Sequence, residues 1–187
     1  MIQKIVSGGQ TGVDRAALDV AIECGVPCGG WCPKGRRAED GPLDLRYPLQ
    51  ETPSDEYAQR TEWNVRDSDG TLILTLGFPL TGGTAQTVEC AKRLRKPHLV
   101  HDLAAHPSPS AVLAWATAHQ LNVLNIAGPR ESRCTGIYLC ARRFLHQFLC
   151  ATPPPVGDRR SRSGSWSDPA SGQPTGGGAT PPSQSVG

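Results

Sequence analysis

No stretch of this 187-residue chain approaches the roughly 18 consecutive apolar residues of a membrane-spanning helix. Its first residues read as a strand instead of a charged leader and apolar core, so a soluble, cytoplasmic protein with no membrane partner is expected. A large charge excess is missing too: 19 Lys and Arg stand against 17 Asp and Glu, a formal net charge of +2. That balance does not neutralise a phosphate backbone, and nucleic acid is not an expected partner. There is no repeat of fixed period, no C-x2-C knuckle, no H-x-x-x-H pair and no Ser-His-Asp spacing, which leaves a fixed metal and a serine nucleophile without support. The seven cysteines, at positions 24, 28, 32, 90, 134, 140 and 150, form an odd set, mostly on apolar faces, and read as buried free thiols of a reducing compartment. The spacing Cys24-x3-Cys28-x3-Cys32 invites a metal, but it straddles a helix end and a strand with no fourth ligand in sequence reach, so structural thiols are expected.

The carboxyl-terminal stretch has almost no aliphatic side chains. From Ala151 to Gly187, 21 of 37 residues are Pro, Gly or Ser, seven of each, so this stretch cannot bury enough surface to fold and is expected as a disordered tail. Arg159, Arg160 and Arg162 against Asp158 and Asp168 give it +1 of the total +2, which leaves +1 for residues 1–150.

Over residues 1–150 strand and helix patterns alternate. After an apolar opening, Val13, Ala17, Val20, Ala21 and Cys24 make one helical stripe, with Gly25 as its C-cap. A second strand runs from Val26 to Cys32, and Pro33 to Gln50 is a long loop without either period. Thr52-Pro53-Ser54-Asp55 announces a helix to about Asp67. Thr71 to Leu76 is an unbroken apolar and β-branched run, as in a strand covered on both faces. The next helix ends in Lys92, Arg93, Arg95 and Lys96, positive charge that suits a helix carboxyl end. Pro97 to Leu103 is a fourth strand, Ser108-Pro109 opens a helix to about His119, Leu121 to Ala127 is a fifth strand, and a core helix runs from about Thr135 to Leu149. The expected fold class is α/β, a mostly parallel sheet with helices on both faces.

Ligands of such sheets bind beyond the carboxyl ends of the strands, where three polar turns fall: SGGQTGVDR, LTGGTAQTVE and GPRES. Glycines there bring backbone N–H groups close to whatever sits above a helix start, and an anion suits that place. Turn geometry alone is the alternative for each loop, but three such loops on one edge favour a shared site for phosphate or a similar oxyanion. Neither Gly-rich loop is a Walker sequence and neither spells G-x-G-x-x-G. The candidate binding residues are Ser7, Gly8, Gly9, Gln10, Thr11, Gly12, Asp14 and Arg15 in the first turn, and Lys34 in the long loop, where Arg36 and Arg37 could also meet an anion. The second turn adds Gly82, Gly83 and Thr84, and the third adds Gly128, Arg130 and Ser132. Asp14 would also complement the helix dipole without a ligand, and Arg130 could equally make a loop salt bridge.

The segments SGGQTGVDRAALD, CGGWCPKGRRAEDGP, YAQRTEWNVRDSDGTLIL, LTGGTAQTVE and LNIAGPRES closely resemble, in order, the "putative molybdenum carrier protein" family, a circularly permuted branch of YpsA-like SLOG proteins. The resemblance covers about residues 1–150. It implies a Rossmann-like three-layer sandwich, a homo-oligomer, and binding of molybdenum cofactor (molybdopterin), whose pterin carries a phosphate, with a molybdoenzyme as recipient. SLOG relatives share recognition of nucleotides or their derivatives, so a nucleotide-sensing module is a second possibility. TGGTAQTVE also resembles the PGGxGTxxE signature of the LOG phosphoribohydrolases, which cleave the N-glycosidic bond of a nucleotide. Gly82, Gly83 and Glu89 match it, while Thr81, Ala85 and Gln86 depart from it. On that resemblance Glu89 would be the catalytic acid of a nucleotide N-glycosidase.

Overall fold

The structure, a computed structural model, describes residues 2–77, 80–106 and 108–150. The tail expected over 151–187, and the domain boundary placed before it, lie outside the described residues. In chain order the elements are β1 (Lys4–Val6), α1 (Val13–Glu23), β2 (Cys28–Cys32), a 3-10 turn (Lys34–Arg36), β3 (Arg37–Ala38), β4 (Gly41–Pro42), β5 (Leu49–Glu51), α2 (Tyr57–Arg66), β6 (Gly70–Thr75), α3 (Gly82–Arg93), β7 (His98–Asp102), α4 (Ser110–Ala118), β8 (Val123–Ala127) and α5 (Ile137–Cys150).

Six strands form one sheet in the order β5-β2-β1-β8-β6-β7, and every pairing is parallel. All six residues of β6 are buried, which is why that segment is apolar without alternation. On one face Leu72, Leu74, Leu124 and Ile126 pack with α1, α4 and α5, through side chains such as Val20, Val112, Phe144 and Phe148. On the other, Val65 of α2 packs with Cys90 and Ala91 of α3. This is the three-layer Rossmann-like sandwich. Gly25, at φ 67°, closes α1 as the pattern predicts: its N–H donates to Ile22 O and that of Val26 to Ala21 O, the paired bonds of a left-handed cap.

The long loop carries more structure than its composition predicts. Residues 37–42 form an antiparallel pair, and Leu49–Glu51 adds β5 to the sheet edge beside β2. Arg36 holds the segment in place by donating to four backbone carbonyls, those of Leu43, Asp44, Tyr47 and Leu49, at 2.8–3.1 Å. Arg37 pairs with Asp55 at 3.4 Å. Helix α2 starts at Tyr57, later than the Thr-Pro-Ser-Asp signal: the Thr52 N–H donates to Cys32 O at 2.8 Å and so extends the β2–β5 ladder instead of opening a helix. Helix α3 ends at Arg93, short of Lys96.

Candidate functional site

Strands β1, β8 and β6 are neighbours at the centre of the sheet. From β1 the chain winds outward to β2 and β5, and from β6 it winds the other way to β7. Their carboxyl ends therefore diverge around a crevice. A cavity of about 410 Å³ occupies it. The first turn contributes Gln10 and Asp14, α2 contributes Arg60 and Thr61, and β6 ends in it with Thr75. The start of α3 brings Gly82, Gly83 and Thr84, and the third turn brings Gly128, Arg130 and Arg133.

Of the predicted residues, Gln10, Asp14, Gly82, Gly83, Thr84, Gly128 and Arg130 line this cavity. Ser7, Gly8, Gly9, Thr11, Gly12, Arg15, Lys34, Ser132 and Glu89 do not. Protein contacts account for most of the second group. Ser7 is fully buried and its hydroxyl donates to Ile126 O at 2.7 Å, which ties β1 to β8. A Cβ on Gly9 would lie 2.7 Å from Leu49 Cδ1, and one on Gly12 would lie 2.4 Å from Pro129 O. These glycines let the first turn pack against its neighbours. Arg15 donates to Gly9 O and makes a bidentate pair with Asp40 at 3.0 and 3.1 Å. Lys34 is exposed in the 3-10 turn.

Thr11 and Ser132 converge on a residue that sequence reading passed over. The Glu39 carboxylate accepts from the Thr11 hydroxyl, the Ser132 hydroxyl and the Ser132 N–H, and faces Arg130 Nη1 at 3.6 Å. Burial opposes its ionisation, but those donors and the Arg130 charge outweigh it and hold the carboxyl below the usual range. Glu39 thus fastens the hairpin loop to the first and third turns. Glu131 has a similar structural role, accepting from the Gly136 and Tyr138 N–H groups at the start of α5.

The lining is electropositive, with Arg60, Arg130 and Arg133 against the one carboxylate of Asp14. Arg60 Nη1 donates to Asp14 Oδ2 at 3.0 Å. Burial pushes the Asp14 carboxyl up, and the Arg60 charge with the donors around it pulls the other way without cancelling that effect. The Tyr57 ring stacks beneath both Arg60 and Arg130, whose guanidinium carbons lie 6.0 and 5.4 Å from its centroid. Thr81, before α3, makes no side-chain cap, so the helix presents its first N–H groups and the positive end of its dipole to the cavity. A Cβ at Gly82 or Gly83 would meet nothing within 4 Å, so space is open above that helix start.

Among the described residues three buried side-chain polar atoms have no partner: Gln10 Nε2, Arg60 Nε and Thr75 Oγ1. All three belong to residues that line this cavity. Gln10 Oε1 is occupied, accepting from the Thr11 and Glu39 N–H groups at 3.0 Å each, which leaves its amide donors as the free end. Buried donors without partners are rare in folded proteins and mark places where a ligand or water belongs. Arg60, Thr61, Thr75, Thr87 and Arg133 are among the lining residues that sequence reading missed. Arg60 sits on a helix whose apolar face is thin, and that was the available signal.

Glu89 lies on the exposed side of α3, paired with Lys92 at 2.9 Å, with its side chain 69% exposed. Cys32 and Cys90 are buried as expected, but Cys24 at the end of α1, Cys28 on β2 and Cys134 before α5 are half-buried, and Cys140 and Cys150 stand on the exposed side of α5. All seven thiols are free. No helix among the described residues is long and apolar enough to cross a membrane.

A sequence-family profile, "Circularly permutated YpsA SLOG family", matches residues 5–149. Among solved structures the chain is similar to a crystal structure of a "Putative molybdenum carrier protein" from Syntrophus aciditrophicus SB. The two are 49% identical with a TM-score of 0.76, over 79% of this chain and 95% of that one. No curated protein matches the chain.

Proposed function

Because the chain belongs to the circularly permuted YpsA SLOG family, we propose that its central cavity binds the phosphate end of a small molecule, and that this molecule is molybdenum cofactor carried as cargo. The observation that carries the proposal is that all three residues with an unpartnered buried polar atom, among the described residues, line one electropositive cavity. An oxyanion accepts from Gln10, Thr75 and Arg60 together, and the open first turn of α3 supplies backbone donors beside them. The volume lies in the range of about 300–1,000 Å³ usual for small-molecule sites. The name of the related crystal structure points to a molybdenum-related ligand, and the pterin phosphate of molybdenum cofactor suits the donor set. In this reading Arg130 and Arg133 hold the phosphate at the mouth, and Asp14 keeps Arg60 aligned below it. A carrier of this kind hands its cargo to a molybdoenzyme recipient, and the homo-oligomer expected from the resemblance is part of the same proposal.

Nucleotides share the phosphate chemistry, so a nucleotide-sensing role uses the same residues. Cleavage of an N-glycosidic bond by Glu89 is disfavoured, because that carboxylate stands in solvent outside the cavity, on Lys92. The test is to incubate the purified chain separately with molybdenum cofactor and with a panel of nucleoside monophosphates, then measure retained pterin, retained nucleotide and released base. Retained pterin without base release supports the carrier. Base release that disappears in Glu89→Ala would overturn it in favour of the glycosidase, and retention of neither ligand would overturn the anion site itself.

A further inference from the structure

Helices α1 and α5 follow adjacent parallel strands, β1 and β8. Both run back from the carboxyl edge of the sheet and end side by side at its amino edge, away from the ligand cavity. The cap at Gly25 stops α1 with Cys24 at its end. On α5, His146 and Cys150 are four residues apart and share one face. The packing of the two helices brings these three residues together: the two thiol sulfurs and one imidazole nitrogen all lie within 4.8 Å of one another. Cys150 Sγ stands 3.7 Å from His146 Nε2. In a tetrahedral zinc site the bond lengths set S···S edges of about 3.8 Å and S···N edges of about 3.5 Å. Small side-chain rotations close the remaining gap, and neither cysteine is held in a disulfide.

We propose that Cys24, His146 and Cys150 form a Zn²⁺ site. Two thiolates and an imidazole are a soft donor set of the kind zinc prefers over magnesium or calcium. Three protein ligands leave the fourth tetrahedral position to water or a small exogenous ligand, and the exposure of His146 and Cys150 gives the ion a way in. The sequence conceals the site because its residues come from opposite ends of the domain. Cys24 pairs with α5, and not with Cys28 or Cys32 as the x3 spacing would suggest. The bound ion clamps the ends of α1 and α5, one turn beyond the Arg142–Glu23 pair that already links them at 2.8 Å.

The experiment titrates the full chain with Co²⁺ under anaerobic conditions with a non-chelating reductant, then displaces it with Zn²⁺. The expected result is one equivalent per chain, tetrahedral visible bands, and a near-ultraviolet charge-transfer band with the intensity of two thiolates. His146→Ala, Cys24→Ser and Cys150→Ser each weaken binding at least about tenfold, while Cys140→Ser leaves it unchanged. Zn²⁺ should raise the thermal midpoint of the wild-type chain and not that of His146→Ala. His146 is exposed, so its variant keeps the test sound even if a cysteine variant folds poorly. Equal Co²⁺ uptake and an unchanged charge-transfer band in all three variants would overturn the proposal, as would the absence of any thiolate band in the wild-type chain. Ligand retention by the central cavity is a separate readout that these variants should not alter.

Discussion

Arg60 of α2 and Asp14 of α1 are joined across the first turn by a 3.0 Å ion pair that is almost wholly buried, with side-chain exposures of 13% and 4%. Gly8 lies between them: a Cβ there would stand 1.9 Å from Arg60 Nη1 and 2.9 Å from Asp14 Oδ2. The pair by itself therefore requires a glycine here. Arg60→Ala leaves a buried carboxylate without its partner and should destabilise the fold by about 3–5 kcal/mol. Gly8→Ala, by forcing the guanidinium aside, should cost about 1–3 kcal/mol. Urea unfolding of the two single variants and the double variant should give non-additive losses, because both act on the same contact.

The glycines of the first two turns should respond oppositely to alanine. At Gly12 the backbone has φ 77° and a Cβ would press on Pro129 O, so Gly12→Ala should cost at least about 2 kcal/mol. Gly83 has open space around it inside a helix, so Gly83→Ala should leave stability unchanged or raise it by up to about 1 kcal/mol. Thermal or urea denaturation of the pair checks both.

Glu89→Gln should change stability by less than about 0.5 kcal/mol, since the side chains of Glu89 and its partner Lys92 are both more than half exposed. Ligand retention should also be unaltered, and the same variant preparation serves both measurements.

Stability should fall on mild acidification through His101. Burial lowers its pKa below the ordinary 6.5, and the neighbouring His106 charge acts in the same direction. The hydrogen bond from its Nε2 to His106 O, 2.7 Å long, opposes this without reversing it. The folded chain thus binds fewer protons than the unfolded chain between the lowered value and 6.5. The stabilisation is complete above 6.5 and is lost as pH falls below it toward the folded value. Unfolding free energy measured as a function of pH should show this decline, and His101→Gln should flatten it.

The alternation of strand and helix was legible because parallel strands buried on both faces are continuous apolar runs, as in Thr71 to Thr75, and because core helices carry single stripes, as in α5. Strand β5 was not legible: Leu49–Glu51 is three residues long with one buried side chain, and only its pairing with β2 makes it a strand. The edge on which the site lies followed from the order of the turns. Which residues face the cavity did not, since that depends on how turns pack on one another. Thr11 and Ser132 look like ligand hydroxyls until Glu39, distant in sequence, is seen to take them both. Arg60 enters the cavity from a helix that shares no turn with it, by way of an ion pair that spans 46 residues.

The central claim is that the cavity recognises a phosphate. Equilibrium binding of molybdopterin and of its dephosphorylated form, measured on the wild-type chain and on an Arg130→Ala, Arg133→Ala double variant, tests it most directly. A charge-assisted contact is worth about 1.5–3 kcal/mol, so the phosphorylated form should bind at least about tenfold more tightly to the wild-type chain, and the double variant, which keeps the Gln10, Thr75 and Arg60 donors, should show a weakened preference. Equal affinity for the two forms, or a preference undiminished in the double variant, would contradict the account.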